Sequence, residues 1–502
     1  MHTNFLENYL AKTEEQDRSK AAIAYLASLD YISEKEPKIS EKIVQELKDQ
    51  RSYLKMIASE NFSSLTVQLA MGNLLTDKYA EGYPFHRFYA GCDNVDAIES
   101  QAEESAKALF GADAAYVQPH SGADANLVAF WAILVKNVQQ KELEKLGKKS
   151  LEELTPEEYE TVRQLLVNQK LLGMSLNSGG HLTHGYRHNI SSKMMKAVFY
   201  DVDPKTELID YKVVLERAKA EKPLILLAGY SAHPRKINFA KMREIADAVG
   251  ATLMVDMAHF AGLVAGKVFT GEYDPIPYAD VVTSTTHKTL RGPRGGLILC
   301  TNAYKEFVNK GCPIALGGPL PHVIAAKACA FEEANRASFA TYAQKIVENA
   351  QTLAASLLEE GFRLVTGGTE NHMVIVDISS LNITGRQAET ALRQAHITCN
   401  RNAIPFDKNG AWYTSGIRLG TPALTTLGMG PAEMKKIAKI IAKALKNTVA
   451  AKAVSGGFSK SQIVTDQALF DQLKSEVYEL MQDFPLYPEI DLALLADNMV
   501  IR

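Results

Sequence analysis

Between about residues 54 and 330, the sequence alternates short apolar runs of strand pattern with longer runs of helical pattern. Residues 224–227 precede a predicted helix over 239–249, which leads to an apolar run that ends at Asp256. Parallel strands need crossover connections, which are usually helices, so the alternation predicts an α/β fold with a mainly parallel central sheet. Ligands of such folds bind at the carboxyl ends of the strands. The candidate site residues are therefore those that directly follow the apolar runs.

The same pattern divides the chain into three predicted parts. Residues 1–40 are charged and helical and predict an N-terminal arm, residues 41–333 a large α/β domain, and residues 334–502 a smaller C-terminal α+β domain. A long helix over 332–361 is expected to connect the two domains. Residues from about 136 to 170 interrupt the large domain and are rich in Glu, Lys, Gln and Leu. We interpret them as a solvated helical hairpin in preference to a partner-binding element, because charged faces are usually only solvated.

Composition excludes several functional classes. The chain has 502 residues, a hydrophobic share of 46% and a net charge of −3, so no global field favours nucleic acid or anionic membrane. Its five cysteines include no C-x-x-C pair, which indicates a reducing compartment without disulfides or a zinc site. No signal peptide or membrane-spanning run is evident. We expect a cytoplasmic protein that binds neither nucleic acid nor membrane.

Lys288 and Asp256 carry the strongest chemical indication. Lys288 lies in Ser-Thr-Thr-His-Lys-Thr directly after an apolar β-branched run, and Asp256 ends another such run. Enzymes that use pyridoxal phosphate (PLP) hold it as a lysine Schiff base and place an acid against its pyridinium nitrogen. Either residue alone is more simply an ordinary charged residue at a strand end. The two together, beside histidines and glycine turns, predict a PLP site.

Two glycine turns are candidates for binding the cofactor phosphate. Ser121 and Gly122 open a predicted helix after an apolar run, where free backbone N–H groups and the helix dipole favour an anion. The turn at Gly318 could offer further backbone donors or be a plain surface turn.

Other polar clusters suggest substrate contacts. His181 and His184 could stack on a cofactor ring or bind metal; we prefer stacking and predict no metal, since no third ligand with sensible spacing stands nearby. Arg418 in a short strand could bind a carboxylate bidentately. Glu81, in a tyrosine-rich loop, could exchange protons with a substrate hydroxyl or be a surface feature.

These motifs together resemble the serine hydroxymethyltransferase family, from about residue 57 to residue 422. The resemblance rests on Ser-Thr-Thr-His-Lys-Thr at 284–289, Val-Asp-Met-Ala-His at 255–259, Gly-Gly-His-Leu-Thr-His-Gly at 179–185 and Tyr-Ala-Glu-Gly-Tyr-Pro at 79–84. It implies the PLP-transferase fold of type I, the fold of aspartate aminotransferase. It also implies reversible transfer of the serine hydroxymethyl carbon to tetrahydrofolate, giving glycine and methylenetetrahydrofolate.

The resemblance assigns roles residue by residue. Lys288 would bind PLP, Asp256 would pair with its pyridinium nitrogen and His181 would stack on its ring. The residues implied for cofactor binding are Ser121, Gly122, Ala123, His181, Ser231, Asp256, His259, His287 and Lys288, with Gly318 of the partner subunit. Those implied for catalysis or substrate binding are Ser59, Tyr79, Glu81, Tyr89, Thr285, His287, Lys288 and Arg418, and those for the folate are Leu176, Gly180, His181, Leu182 and Asn402. Tyr79 and Tyr89 would reach the site from the partner subunit, which implies a homodimer.

Some positions depart from the family pattern. Ala123 stands where many relatives carry a hydroxyl residue, and His86 stands where lysine is more usual. Two alternatives stay open: a folate-independent PLP enzyme with aldolase or alanine/serine racemase activity, and a catalytically retired PLP fold used for binding. Intact Lys288, Asp256 and Arg418 argue against the second.

Overall fold

A seven-stranded sheet forms the centre of the chain. The computed structural model describes residues 4–453 and 456–492. In spatial order the strands are Ala114–Tyr116, Gly296–Cys300, Val281–Thr285, Thr252–Asp256, Ile225–Gly229, Lys170–Met174 and Lys196–Tyr200. Gly296–Cys300 pairs antiparallel with both of its neighbours, and the remaining pairs are parallel. The predicted α/β class with a mainly parallel sheet is confirmed.

Helices cover both faces of this sheet. They bury two apolar clusters, one on each face, and the inner strands are buried from end to end because helices pack on both sides of them. The main helices of this part of the chain are Asp93–Phe110, Gly122–Leu134, Pro156–Val167, Tyr211–Glu221, Phe239–Val249, Asn302–Asn309, Pro321–Ala334 and Ala337–Glu359.

The second sheet has four antiparallel strands. Its spatial order is Arg363–Leu364, Met373–Asp377, Gly416–Gly420 and Asn400–Asn402. Helices Gly385–Gln394, Pro431–Lys446 and Gln467–Gln482 pack against it. Leu54 and Met56 lie in the same apolar cluster, because the short strand Leu54–Lys55 pairs with Ile397–Thr398. The chain therefore contributes to this core before it enters the large sheet.

Three helices precede that strand: Phe5–Lys12, Lys20–Lys35 and Pro37–Ser52. They pack with Phe62, Leu486 and Ile490 in a cluster of their own. The domain limits given from the sequence stay predictions. The limit at residue 40 falls within the third of these helices. The long helix expected over 332–361 is two helices in the structure. The first ends at Ala334, and the second begins at Ala337. The backbone of Arg336 is extended between them, and the apolar pattern does not reveal this break because both helices bury an apolar face.

The segment over residues 136–170 forms the predicted pair of helices, Gln140–Lys145 and Pro156–Val167. Thr155 and Glu158 make the reciprocal hydrogen bonds of a capping box at the start of the second helix. The segment is not solvated on all sides, because Leu143, Val162 and Leu166 are buried, the last two within a cluster that covers the central sheet. All five cysteines are free thiols. Within the described residues, no helix is long and apolar enough to cross a membrane.

Candidate active site

A cavity of about 420 Å³ lies at the carboxyl ends of the parallel strands. Asp256 ends one of these strands, Thr285 ends the next, and Lys288 follows three residues later. The residues that line the cavity are Ser59, Ser121, Gly122, Ala123, Leu176, Gly180, His181, Leu182, Tyr230, Ser231, Asp256, Ala258, His259, Thr285, His287, Lys288, Arg294 and Arg418. Most of the candidate residues named from sequence are therefore brought together. Tyr230, Ala258 and Arg294 are additions that the sequence patterns did not indicate.

Lys288 is buried, and within the described residues its amine makes no hydrogen bond. Burial, opposed by the charge of Asp256 and reinforced by the charges of Arg418 and Arg294, lowers the pKa of Lys288 to about 8. A larger fraction of the amine is therefore neutral near pH 8 than for an exposed lysine. The neutral amine is the nucleophilic form.

Asp256 is held as a buried carboxylate by three donors. Its Oδ2 accepts hydrogen bonds from Asn126 Nδ2 at 2.9 Å and from His184 Nε2 at 3.0 Å, and its Oδ1 accepts from the backbone N–H of Ala258 at 3.0 Å. Burial alone raises the pKa of Asp256, but the hydrogen bonds from His184 and Asn126 and the nearby His181 hold it well below its usual range. The carboxylate is ionised at neutral pH and can pair with a cationic group.

The expectation that no third metal ligand stands near the two histidines is wrong, because Asp256 lies beside them. Ligand atoms of His181, His184 and Asp256 all lie within 4.8 Å of one another. However, His184 Nε2 donates to Asp256, and its Nδ1 accepts from the backbone N–H of His181 at 3.3 Å. Both ring nitrogens of His184 are thus engaged, which leaves no free lone pair for a metal ion. Burial lowers the pKa of His181 to about 4, so its ring is neutral.

Ser121 caps the helix Gly122–Leu134 at the edge of the cavity. Its Oγ accepts a hydrogen bond from Asp124 N at 3.2 Å and donates to the Asp124 carboxylate at 2.9 Å. A Cβ atom at Gly122 would lie 2.6 Å from Cγ2 of Thr285, so only glycine fits this approach. The first N–H groups of the helix have no intrahelical partner and form an anion-binding turn.

Lys327 fixes the strand end that leads into this turn. Its buried amine donates to the carbonyl oxygens of Val117 at 2.6 Å, Pro119 at 3.0 Å and Gly296 at 2.9 Å. Burial lowers the pKa of Lys327 to about 7. The sequence patterns did not indicate this lysine, because it lies in a helix about two hundred residues from the turn that it holds.

Arg418 presents its guanidinium to the cavity from the second sheet. Its strand, Gly416–Gly420, pairs with Asn400–Asn402, and Arg418 Nε donates to Asn400 Oδ1 at 3.0 Å. Nη1 donates to the backbone oxygen of Ser231. Burial lowers the pKa of Arg418 to about 10, which still leaves it cationic at neutral pH. A fixed, buried guanidinium is suited to bind a carboxylate.

A second group of predicted residues lies outside the lining of this cavity: Tyr79, Glu81, Tyr89, Gly318 and Asn402. The rings of Tyr79 and Tyr89 meet edge to face with centroids 5.2 Å apart, and Tyr89 Oη donates to Glu81 Oε2 at 3.5 Å. A Cβ atom on Gly318 would lie 3.6 Å from the ring of Tyr79. Four of the five thus form one group, which we call the Glu81 group (Tyr79, Glu81, Tyr89 and Gly318). Its two tyrosines are exposed, and Glu81 and Gly318 are half-buried.

Buried polar side chains hold the backbone on both sides of Glu81. Arg87 Nη1 donates to the carbonyl of Ala80 at 2.9 Å, and Gln118 Nε2 donates to the carbonyl of Gly82 at 2.8 Å. Arg87 is itself paired with Asp96 at 2.8 Å and with Glu99 at 2.7 Å. The backbone of the loop is therefore fixed, although the side chains of Tyr79 and Tyr89 are exposed.

Comparison with known proteins agrees with this geometry. A model of the serine hydroxymethyltransferase family matches residues 32–145 and 157–441, and the intervening residues 146–156 lie inside the predicted insertion. A serine hydroxymethyltransferase of Treponema pallidum is 56% identical over 502 residues, which cover 100% of this chain and 88% of that protein. One of Chlamydia muridarum is 56% identical over 495 residues, 98% of this chain and 100% of that protein. One of Salinispora tropica is 56% identical over 469 residues, 93% of this chain and 98% of that protein.

Proposed function

The chain belongs to the serine hydroxymethyltransferase family, and from this premise we propose how its own residues perform the family reaction. Enzymes of this family use PLP to transfer the hydroxymethyl carbon of serine reversibly to tetrahydrofolate, giving glycine and methylenetetrahydrofolate. The chain is such a transferase. The observation that carries the assignment of residues is that Lys288, Asp256 and Arg418 line one cavity.

The residues of the cavity fit PLP. The Lys288 amine is buried beside an ionised carboxylate, and the turn at Gly122 lines the same cavity with the first N–H groups of a helix, which suit a phosphate. Bound there, PLP would supply an electron sink for breaking a bond to the α-carbon of the amino acid. Asp256 keeps a proton on the pyridine nitrogen, and Ser121, Gly122 and the backbone N–H of Ala123 hold the phosphate.

The chain's side chains orient the amino acid and move its protons. Arg418 and Ser59 would bind the carboxylate of serine or glycine and so orient the α-carbon within the cavity. Lys288 would hold the cofactor through its buried amine. His181 stacks on the ring, and Thr285 and His287 contact the reacting atoms from the strand end that precedes Lys288. Each of these side chains lines the cavity, which supports the assignment.

We further propose that the active site is shared across a homodimer. Glu81 of the partner subunit moves the proton of the serine hydroxyl, and the partner's Tyr79, Tyr89 and Gly318 close the site. Two observations support this: the Glu81 group lies outside the lining of its own chain's cavity, and the neighbouring Phe85 and Phe88 are 76% and 69% exposed. Exposed aromatic side chains in one loop are typical of an interface core.

Tetrahydrofolate is proposed to bind at the mouth of the cavity. Leu176 and Leu182 line it and are 36% and 46% exposed, so they offer apolar surface to a pterin ring. Gly180 lies between them without a side chain, and Asn402 on the second sheet supplies an amide for the ring edge.

The visible absorption spectrum of the purified protein tests the proposal. We expect a band from the lysine-bound cofactor that shifts strongly to longer wavelength only when glycine and tetrahydrofolate are both present. A band whose wavelength does not change when tetrahydrofolate is added would favour the folate-independent aldolase or racemase. Absence of any band after incubation with PLP would contradict the cofactor assignment.

A further inference from the structure

A buried pair of histidines joins the two sheets behind the cavity. His259 follows the strand Thr252–Asp256 and lines the cavity, whereas His372 directly precedes the strand Met373–Asp377 of the second sheet. Nδ1 of His259 lies 3.2 Å from Nε2 of His372, and the ring centroids are 5.4 Å apart. The proposed reaction gives His372 no role.

Each of these rings carries a single proton at neutral pH. Burial lowers the pKa of His372 to about 3, and burial holds the pKa of His259 well below its usual range, with the charges of Lys288 and Arg418 acting in the same direction. The short contact between the two nitrogens needs one proton between them. Either His259 donates to His372, or His372 donates to His259.

The other nitrogen of His372 distinguishes these two arrangements. Nδ1 of His372 is buried and has no hydrogen-bond partner in the described part of the chain. If His259 were the donor, the proton of His372 would lie on that nitrogen as a buried N–H without an acceptor. If His372 is the donor, only an unprotonated nitrogen is left there. Orphaned buried N–H groups are rarer than under-satisfied buried acceptors.

We infer that His372 is a positioning residue that donates from Nε2 to Nδ1 of His259 and so keeps the proton of His259 on Nε2. His259 then presents an N–H donor to the cavity. This inference rests on the proposed function and on the resemblance, which implies that His259 and Ser231 bind PLP. The N–H of His259 would serve the ring oxygen of PLP, a negatively charged acceptor that needs a donor.

The backbones of both histidines are fixed. The carbonyl of His372 accepts a hydrogen bond from Thr421 N at 3.1 Å, and the carbonyl of His259 accepts one from Thr289 Oγ1 at 3.0 Å. Because the two histidines belong to different sheets, the donor in the cavity depends on the second sheet being correctly docked. Docking is thereby coupled to the electrostatics of the cofactor site.

Neutron diffraction from crystals of the PLP-loaded protein at neutral pH tests the inference directly. We expect deuterium on Nε2 of both His259 and His372 and none on either Nδ1. Deuterium on Nδ1 of both rings would overturn it. Failure of the proposed function is distinguishable, because the protein would then not retain PLP at Lys288.

Variants give an independent test. His372→Leu removes the donor and is expected to raise the dissociation constant of PLP on the order of three- to tenfold, the usual weight of one hydrogen bond. It should also shift the pH at which the visible band of the bound cofactor titrates. His372→Gln keeps an N–H donor and should restore most of both properties. His396→Leu is the control, since His396 also has a buried Nδ1 without a partner but stacks on Tyr53 instead. Equal effects of the Leu and Gln substitutions in folded protein, or no effect of either, would contradict the inference.

Discussion

His184 donates its Nε2–H to Oδ2 of Asp256 at 3.0 Å and shares that oxygen with Asn126. The donor set explains how an aspartate at the end of an inner strand stays ionised although it is buried. Asp256 can therefore offer its negative charge to a cationic ring nitrogen without first losing a proton. Its preorganisation is the basis of the first prediction.

Asp256→Asn removes this negative charge and keeps the shape of the side chain. We expect the rate of serine cleavage to fall about 100- to 1,000-fold, because fixed electrostatic stabilisation of this kind is typically worth that factor. Steady-state kinetics with serine and tetrahydrofolate would measure it, with PLP content checked by absorbance. Asp247→Asn is the control, since the Asp247 carboxylate is largely exposed and pairs with Arg243. A variant with PLP bound and normal activity would contradict the role of Asp256.

The sequence alone was enough to predict site residues whose position and type both carry information. Asp256 ends a strand, Lys288 and Ser121 each follow a strand within five residues, and the carboxyl ends of parallel strands meet at one edge. The direction of the strand Gly296–Cys300 could not be predicted in this way, because a strand buried on both faces reads the same in either direction.

Contacts between distant segments were not predictable. Lys327 reaches Val117 across 210 residues, and His372 reaches His259 across 113. Neither residue stands at a strand end of the large sheet or in a recognisable motif. A polar residue within a helix is usually solvated, and only the folded chain shows that Lys327 is 1% exposed.

Glu81→Gln separates the folate-dependent reaction from the folate-independent one. If Glu81 moves the proton of the serine hydroxyl, we expect folate-dependent turnover to fall about 100- to 10,000-fold, the usual weight of a general acid or base. Cleavage of bulky 3-hydroxy amino acids without folate should be retained. Both rates can be measured on one preparation, so the second serves as the control for folding. Equal loss of both would count against this role.

Lys288→Met is expected to stabilise the protein when PLP is absent. The pKa of Lys288 is about 8 in the folded chain against an ordinary value of 10.5, so between these pH values the unfolded chain binds more protons. Stability of the wild type therefore rises with pH in that window, and below pH 8 the buried lysine costs on the order of 3 kcal/mol. Urea unfolding of the PLP-free proteins would measure the difference.

The gain from Lys288→Met should be largest near pH 7 and should shrink as the pH rises from 8 to 10.5. Lys219→Met is the control, because it removes a lysine whose side chain is 53% exposed. If the gain in the free energy of unfolding from Lys288→Met stayed constant to pH 10.5, added apolar packing and not the loss of the charge would be responsible for that gain.

Arg87→Met tests whether the backbone around Glu81 is held by buried charge. Arg87 pairs with Glu99, whose side chain is fully buried, and also donates to the carbonyl of Ala80. Removing one partner of a buried ion pair leaves an uncompensated charge, so we expect the free energy of unfolding to fall by about 3–5 kcal/mol. Arg163→Met breaks the exposed pair with Glu160 and should leave the free energy of unfolding almost unchanged. If the two variants lost similar stability, the idea that the buried network holds the Glu81 loop would be contradicted. A loss of stability confined to Arg87→Met, together with reduced folate-dependent turnover, would support that idea.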